Sequence, residues 1–194
     1  MQQIWKSLTI TLLKPITIAG NNKTSLMLTM LSHDQHRTLI DAAGDDTTTI
    51  YRELVKAGTG LTESELKQLV APDYNSLLQA VDEAYGNTSD YWFDKLETKQ
   101  SEAIDRLPLL VPITTAQGQL DALTLQLPTV AALDLMDKQP EDQRDLFIKV
   151  HCAGLAEEEL NQLAVPDWKA LDQKVADFLS QTGNFFSAGT TSNA

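Results

Sequence analysis

Cysteine, histidine and long apolar runs are all scarce in this 194-residue sequence. The single cysteine, Cys152, excludes an internal disulfide and a cysteine-based metal site, and it suits a reducing compartment. No apolar run approaches the roughly 18 residues that a membrane span needs. Thr9, Thr11 and Lys14 interrupt the N-terminal segment where a secretory signal requires an unbroken apolar stretch. The sequence therefore predicts a soluble protein of the cytoplasm.

Positive charge is also in short supply. The chain has 15 basic and 27 acidic side chains, a net charge of -12, and a pI near 4.5. Residues 1–86 carry a net charge of -3 and residues 107–181 carry -7. DNA and other polyanions would be repelled, so nucleic-acid binding is disfavoured. The acidity is compatible with a basic protein partner and equally with simple dispersion of a soluble protein.

The patterns of known catalytic sites are missing. The sequence has no Gly-x-Ser-x-Gly elbow, Walker loop, Gly-x-Gly-x-x-Gly turn or His-Glu-x-x-His helix. His33 and His36 are spaced as a helical pair but have no evident third metal ligand. Acidic side chains cluster where helices are expected to begin, and the helix dipole favours them there without any catalytic role. The sequence thus predicts a protein that is not an enzyme and has no cofactor and no metal.

What the sequence does contain is an internal repeat. The segment from Gly60 to Tyr85 aligns without a gap with the segment from Gly154 to Leu179, with twelve identities in 26 positions, where composition alone would give about one to three. Upstream, "LLKPITIAGNNKTSLMLTM" matches "LLVPITTAQGQLDALTLQL" at an offset of 97 instead of 94 residues. The pattern indicates a tandem duplication with a three-residue difference between about residues 31 and 50.

Each copy begins with the pattern of a β-hairpin. In the first copy, apolar and polar residues alternate on both sides of "GNNK", so that Leu26, Leu28 and Met30 share one face of a strand. The second copy repeats the pattern around "AQGQ". Because proline cannot donate a ladder hydrogen bond, Pro15 and Pro112 are expected at a strand edge or a bulge.

The period then changes to that of helices. A capping box at Ser32 and Gln35 predicts a helix that ends at Gly44, and its counterpart from Thr129 is expected to have the same length. A second helix follows in each copy, in residues 47–58 and 140–154.

The end of each copy contains a near-identical corner, "LVAPDY" and "LAVPDW". Proline disfavours helical backbone angles in the residue that precedes it, so a short helix should end before Ala71 and before Val165. Proline and aspartate then open the last helix. Its buried stripe is predicted to contain Tyr74, Leu77, Val81, Trp168, Leu171 and Val175.

These patterns predict an α+β fold of two pseudo-repeats, each a hairpin followed by three or four short helices. We place the first repeat at residues 1–86, a linker at 87–106 that can carry a helix from about Asp90, the second repeat at 107–181, and a disordered tail at 182–194. The two hairpins either join in one four-stranded antiparallel sheet or pack as independent units.

Aromatic residues follow each copy: Tyr91, Trp92 and Phe93 after the first, Phe185 and Phe186 after the second. The favoured interpretation is that these rings fold back onto their own domain. The alternative is that they anchor a protein partner, which makes them the candidate partner-binding residues.

The order of a hairpin, a "GLTESELKQL" or "GLAEEELNQL" segment and an aspartate-aromatic helix start resembles the small tail assembly chaperones of contractile-tailed phages such as Mu. The resemblance covers nearly the whole chain apart from the linker and the tail. Members of the family usually carry one such unit, so the duplication is a departure, and it leaves open whether the copies act as a built-in dimer or have separate roles.

The resemblance implies a non-enzymatic protein that binds the phage tape measure protein and keeps it soluble in the cytoplasm of the bacterial host. It implies no nucleic-acid or membrane partner. The alternatives are a structural tail component retained in the particle, or an acidic protein-binding adaptor.

Overall fold

The architecture is a pair of hairpin-and-helix assemblies in a computed structural model that describes residue 5 and residues 7–98 and 103–187. The predicted α+β class is confirmed. The elements of the first copy and the following segment are β1 (Leu8–Ile18), β2 (Asn21–Leu28), α1 (His33–Ala43), α2 (Thr47–Thr59), α3 (Glu63–Leu66), α4 (Ala71–Gly86) and α5 (Ser89–Lys95). The later elements are β3 (Arg106–Thr115), β4 (Gly118–Thr124), α6 (Val130–Met136), α7 (Glu141–Ala153), α8 (Glu157–Leu160), α9 (Val165–Ser180) and α10 (Gly183–Ser187).

The chain divides into two compact units, one consisting mainly of residues up to Asn87 and the other mainly of residues from Thr88 onward. Each unit contains its own antiparallel hairpin, β1 with β2 and β3 with β4. Among the described residues these are two separate two-stranded sheets, so the alternative of one four-stranded sheet is not realised. Each hairpin is instead covered by helices of its own unit, because β1 contacts α3 and α4, and β3 contacts α5 and α8.

Both hairpins are irregular at their proline. The ladder shifts register between Thr11 and Ile16 in the first and between Pro108 and Ile113 in the second, so the expected bulges are confirmed. The first turn lies at Ala19 and Gly20, with φ of 48° and 80°, so it shares only Gly20 with the predicted "GNNK" turn, whose remaining residues belong to β2. Positive φ at both turn residues matches the right-handed twist of the strands, and glycine adopts it without strain.

The helix boundaries follow the capping signals closely. The Ser32 side chain accepts the Gln35 N–H and the Gln35 side chain accepts the Ser32 N–H, which confirms the capping box of α1. Thr129 caps α6. The expectation of equal lengths is wrong, because α6 has 7 residues and α1 has 11. The helix is thus four residues shorter in the second copy, and the connection to the next helix is one residue longer, which accounts for the three-residue difference.

The core of each unit lies between the hairpin and the last long helix. In the first unit Leu26 and Leu28 are buried as predicted, and Met30 is partly exposed. In the second unit, the fully buried side chains with the largest volumes include Leu107, Leu109, Ile148, Leu160, Leu163 and Leu171. The predicted stripe of the last helix is buried in both copies except for Tyr74, which is partly exposed.

Two segments outside the predicted repeats are helical. Helix α5 lies in the predicted linker, starts near Asp90 as expected, and belongs to the second unit through its contact with β3. Helix α10 replaces the first part of the predicted disordered tail, because the Phe186 ring packs against Phe178 with a centroid distance of 5.7 Å. The rest of the predicted tail, residues 188–194, lies outside the described residues.

Candidate partner-binding surface

An aspartate in the first turn of the last helix connects that helix to the strand bulge in each unit. In the first unit, the N–H groups of Leu13 and Lys14 donate to the Asp73 carboxylate at 2.8 and 3.2 Å. In the second unit, the N–H groups of Leu110 and Val111 donate to the Asp167 carboxylate at 2.9 and 3.3 Å. A bulge leaves such N–H groups without a ladder partner, and the carboxylate accepts them instead.

The two carboxylates are both buried, with 2% of Asp73 and none of Asp167 exposed. Burial raises the pKa of Asp167 to about 7, although its two backbone donors and the neighbouring Ser89 hydroxyl oppose the rise. The Asp90 carboxylate adds to the rise. Two side chains of helix α5 therefore act on the pKa of Asp167 in opposite directions: Ser89 lowers it and Asp90 raises it.

A second backbone contact recurs between the end of the hairpin and the end of the following helix. The Thr29 N–H donates to the Gly58 carbonyl at 2.8 Å, and the Gln126 N–H donates to the Cys152 carbonyl at 2.7 Å. A Cβ added to Gly58 would lie 2.5 Å from Leu28 Cδ1 and 2.7 Å from the Tyr85 hydroxyl oxygen. The first copy thus uses a glycine where its neighbours leave no room for a side chain.

The second copy has Cys152 at the position of Gly58. The side chain is fully buried, and burial raises the pKa of its thiol to about 11. A thiol of this kind is mostly uncharged at neutral pH and is a poor nucleophile. Cys152 is thus a small core residue.

The five candidate partner-binding residues fall into two groups. Trp92 and Phe93 are 1% and 0% exposed, which makes them core residues of the second unit. Tyr91 is 38% exposed, Phe185 is 53% exposed, and Phe186 is partly exposed. Only the latter three are accessible to a partner, and their role in binding stays a prediction.

Phe185 and Phe186 line a pocket of about 330 Å³ beside α5, α9 and α10. The Phe185 and Phe186 rings meet edge to face with a centroid distance of 5.1 Å. Lys174 lies at the pocket, donates to the Ile104 carbonyl at 3.2 Å, and has a pKa lowered by burial. The pocket is lined by Asp90, Ala103, Ile104, Ala170, Gln173, Lys174, Asp177, Phe178, Phe185 and Phe186. Its aromatic wall and charged rim fit an apolar side chain with a polar surround.

The described part of the chain offers little for other chemistries. Within it, no group of three or more histidine, cysteine, aspartate and glutamate side chains is placed to hold a metal ion. None of its helices combines the length and the apolar character that crossing a membrane would require.

The aspartate contacts are the feature that the sequence does not reveal. An acidic residue after a proline in a first helical turn is already explained by the helix dipole. The bond partner lies 60 residues away in one unit and 57 in the other. The only available signal is that "PD" recurs in both copies, each about 60 residues after a "LLxPIT" strand.

Each unit is a hairpin followed by short helices, and the second unit also contains an accessible aromatic pocket. Residues 106–180 match the model of a family described as phage tail assembly chaperone proteins, E, or 41 or 14. The match runs from the first residue of β3 to the last residue of α9. The matched stretch covers less than half of the chain, and over this stretch the chain is similar to the phage tail assembly chaperones. No curated protein and no solved structure matches the chain.

Proposed function

We propose that this protein is a non-enzymatic chaperone that binds the phage tape measure protein in the host cytoplasm and keeps it soluble until the tail assembles. The family match of residues 106–180 carries this proposal. A client with long apolar helical faces requires temporary cover, and a chain with a net charge of -12 keeps the complex dispersed.

The pocket that contains Phe185 and Phe186 is the proposed contact for one apolar side chain of the client. Phe185 is more than half exposed, and its ring is oriented by Phe186, which itself packs on Phe178. Exposed aromatic rings held by their neighbours bind at a low cost in conformational entropy. Tyr91 lies on α5 of the same unit and is a further candidate contact.

Co-expression with the tape measure protein of the same phage tests the function. We expect the client to be recovered in the soluble fraction and to co-purify with the full chain. Phe185→Ser should reduce the recovery, whereas Leu13→Ser, an exposed residue of β1 in the other unit, should not. Unchanged client solubility without a co-purifying complex would refute the chaperone function.

Mass spectrometry of mature particles separates this function from the alternative of a structural tail component. A chaperone should be absent from the finished tail. Stoichiometric recovery from purified tails would favour the structural role.

A further inference from the structure

A groove of about 520 Å³ lies beside α7 in the second copy. It is lined by Gln139, Gln143, Leu146, Phe147, Val150 and Glu157. The four lining residues from α7 follow the spacing i, i+3, i+4 and i+7, which places them on one face of the helix. The centre of this face is apolar.

The apolar residues of the groove are only partly covered by their own unit. Leu146 and Val150 pack against the core cluster with one side and are partly exposed on the other. The Phe147 ring stacks on His151 with a centroid distance of 6.5 Å and an interplanar angle of 11°, and it is also partly exposed. Leu146 and Val150 thus form a floor and Phe147 a wall whose orientation is fixed by its neighbour.

The first copy has charged residues at the same positions. With the offset of 94 residues, Arg52, Glu53 and Lys56 replace Leu146, Phe147 and Val150, while Glu63 corresponds to Glu157. Arg52 Nε donates to Glu63 at 3.1 Å, and Lys56 Nζ donates to Glu53 at 2.8 Å. The Arg52 guanidinium lowers the pKa of Glu63 to about 2. Ion pairs therefore cover in the first copy the surface that is apolar in the second.

The charge around the groove indicates what could occupy it. Glu157 lines the groove and corresponds to Glu63 of the first copy. The arginine that pairs with Glu63 in the first copy, Arg52, is replaced by Leu146 in the second. Asp142 is exposed one turn before Leu146 on α7. An occupant with an apolar stripe and basic flanks would bury Leu146, Phe147 and Val150 and place its cations beside these carboxylates.

We propose that this groove binds an amphipathic helix of the client, with an apolar stripe flanked by lysine or arginine, and that the first copy has no equivalent site. The proposal rests on the proposed chaperone function and specifies which surface and which client chemistry that function uses. It assigns the two copies different roles.

The test measures binding of the full chain to a synthetic amphipathic helix of about 18 residues built from leucine, alanine and lysine. Fluorescence anisotropy of the labelled peptide gives the affinity. The triple variant L146R/F147E/V150K gives the second copy the residues of the first, where the arginine pairs with the glutamate at the position of Glu157. We expect it to weaken binding at least about tenfold, as loss of an aromatic anchor does. The control R52Q/E53Q/K56Q removes the ion pairs of the first copy and should leave the affinity unchanged.

Circular dichroism must show that each variant is folded, and Phe147→Ser provides a milder change at the centre of the groove. The groove is refuted if the folded triple variant and the folded Phe147→Ser variant both bind like the wild type. It is also refuted if a peptide with glutamate flanks binds as tightly as the lysine peptide. If the triple variant binds the peptide like the wild type but sediments differently as the free protein, the groove holds a second copy of this chain instead of the client helix.

The tape measure protein itself separates this proposal from the proposed function. If it co-purifies equally with the wild type and with the triple variant, the chaperone function stands and the groove is wrong. If it binds neither while the lysine peptide binds the wild type alone, the groove is a binding site and the proposed client is wrong.

Discussion

At the scale of single residues, Asp73 and Asp167 explain why a proline-aspartate pair occurs twice. Each aspartate lies at the start of a helix and accepts two N–H groups of a distant strand. An unsatisfied buried N–H costs about 1 to 3 kcal/mol, so a carboxylate that accepts two of them is hard to replace. A carboxylate suits this role because it supplies one oxygen acceptor for each of the two N–H groups.

The raised pKa of Asp167 predicts an unusual dependence of stability on pH. Because its pKa is about 7 in the folded protein and 3.8 in the unfolded chain, the folded state binds the proton more tightly. The contribution of Asp167 is thus fully present below about pH 4 and is lost as the pH rises through 7. Relative to Asp167→Asn, we expect the wild type to gain on the order of 1 kcal/mol of unfolding free energy per unit as the pH falls from 7 to 5.

Urea unfolding of both proteins at pH 5, 6 and 7 measures this difference, since asparagine does not titrate. If the difference between the wild type and Asp167→Asn is flat over this range, or grows as the pH rises, the carboxyl group is already ionised in the folded protein.

At the scale of elements, the sequence predicts most of what local chemistry determines. The capping box at Ser32, the corner before Ala71 and the bulge near Pro15 are signalled by residues next to one another, and all three are confirmed. Helix α5 is different, because its amphipathic pattern is short and its burial depends on β3, which follows it in the chain. Periodicity cannot show whether aromatic residues in such a segment face a partner or their own core.

The packing of α5 predicts contrasting effects of neighbouring substitutions. Phe93→Ala should reduce the unfolding free energy by about 3 to 5 kcal/mol, because it removes a fully buried ring. Tyr91→Ala, at a position that is 38% exposed, should have a much smaller effect. Thermal unfolding followed by circular dichroism measures both. Equal effects would mean that α5 does not pack as described.

At the scale of the whole molecule, the two copies share a framework and differ in their surfaces. Backbone and aspartate contacts recur in both, whereas net charge changes from -3 in residues 1–86 to -7 in residues 107–181. The sequence shows the repeat and the difference in net charge, but it does not show which of the differing residues line a groove, because a charged pair and an apolar pair at the same helical spacing are equally compatible with the fold. The candidate groove depends on the apolar residues of the exposed face of α7, where α2 has charged residues.

The acidity of the chain predicts that a basic client associates with the help of long-range attraction. Raising the salt concentration from about 0.05 to about 0.5 M should slow the association of the lysine peptide by roughly tenfold, because screening shortens the reach of the charges. Dissociation should change less, since the apolar contacts are not screened. Stopped-flow fluorescence measures both rates. An association rate that is independent of salt would show that charge does not guide binding.

The long reach of the aspartate contact also has a consequence for synthesis on the ribosome. The N–H group of Leu13 has no access to its hydrogen-bond partner until Asp73 is translated, 60 residues later. At about 5 to 20 residues per second, that delay lasts roughly 3 to 12 seconds. Each hairpin therefore emerges incomplete, and a chain that stops before the last helix of a copy would leave that copy's first strand without the residue that completes it.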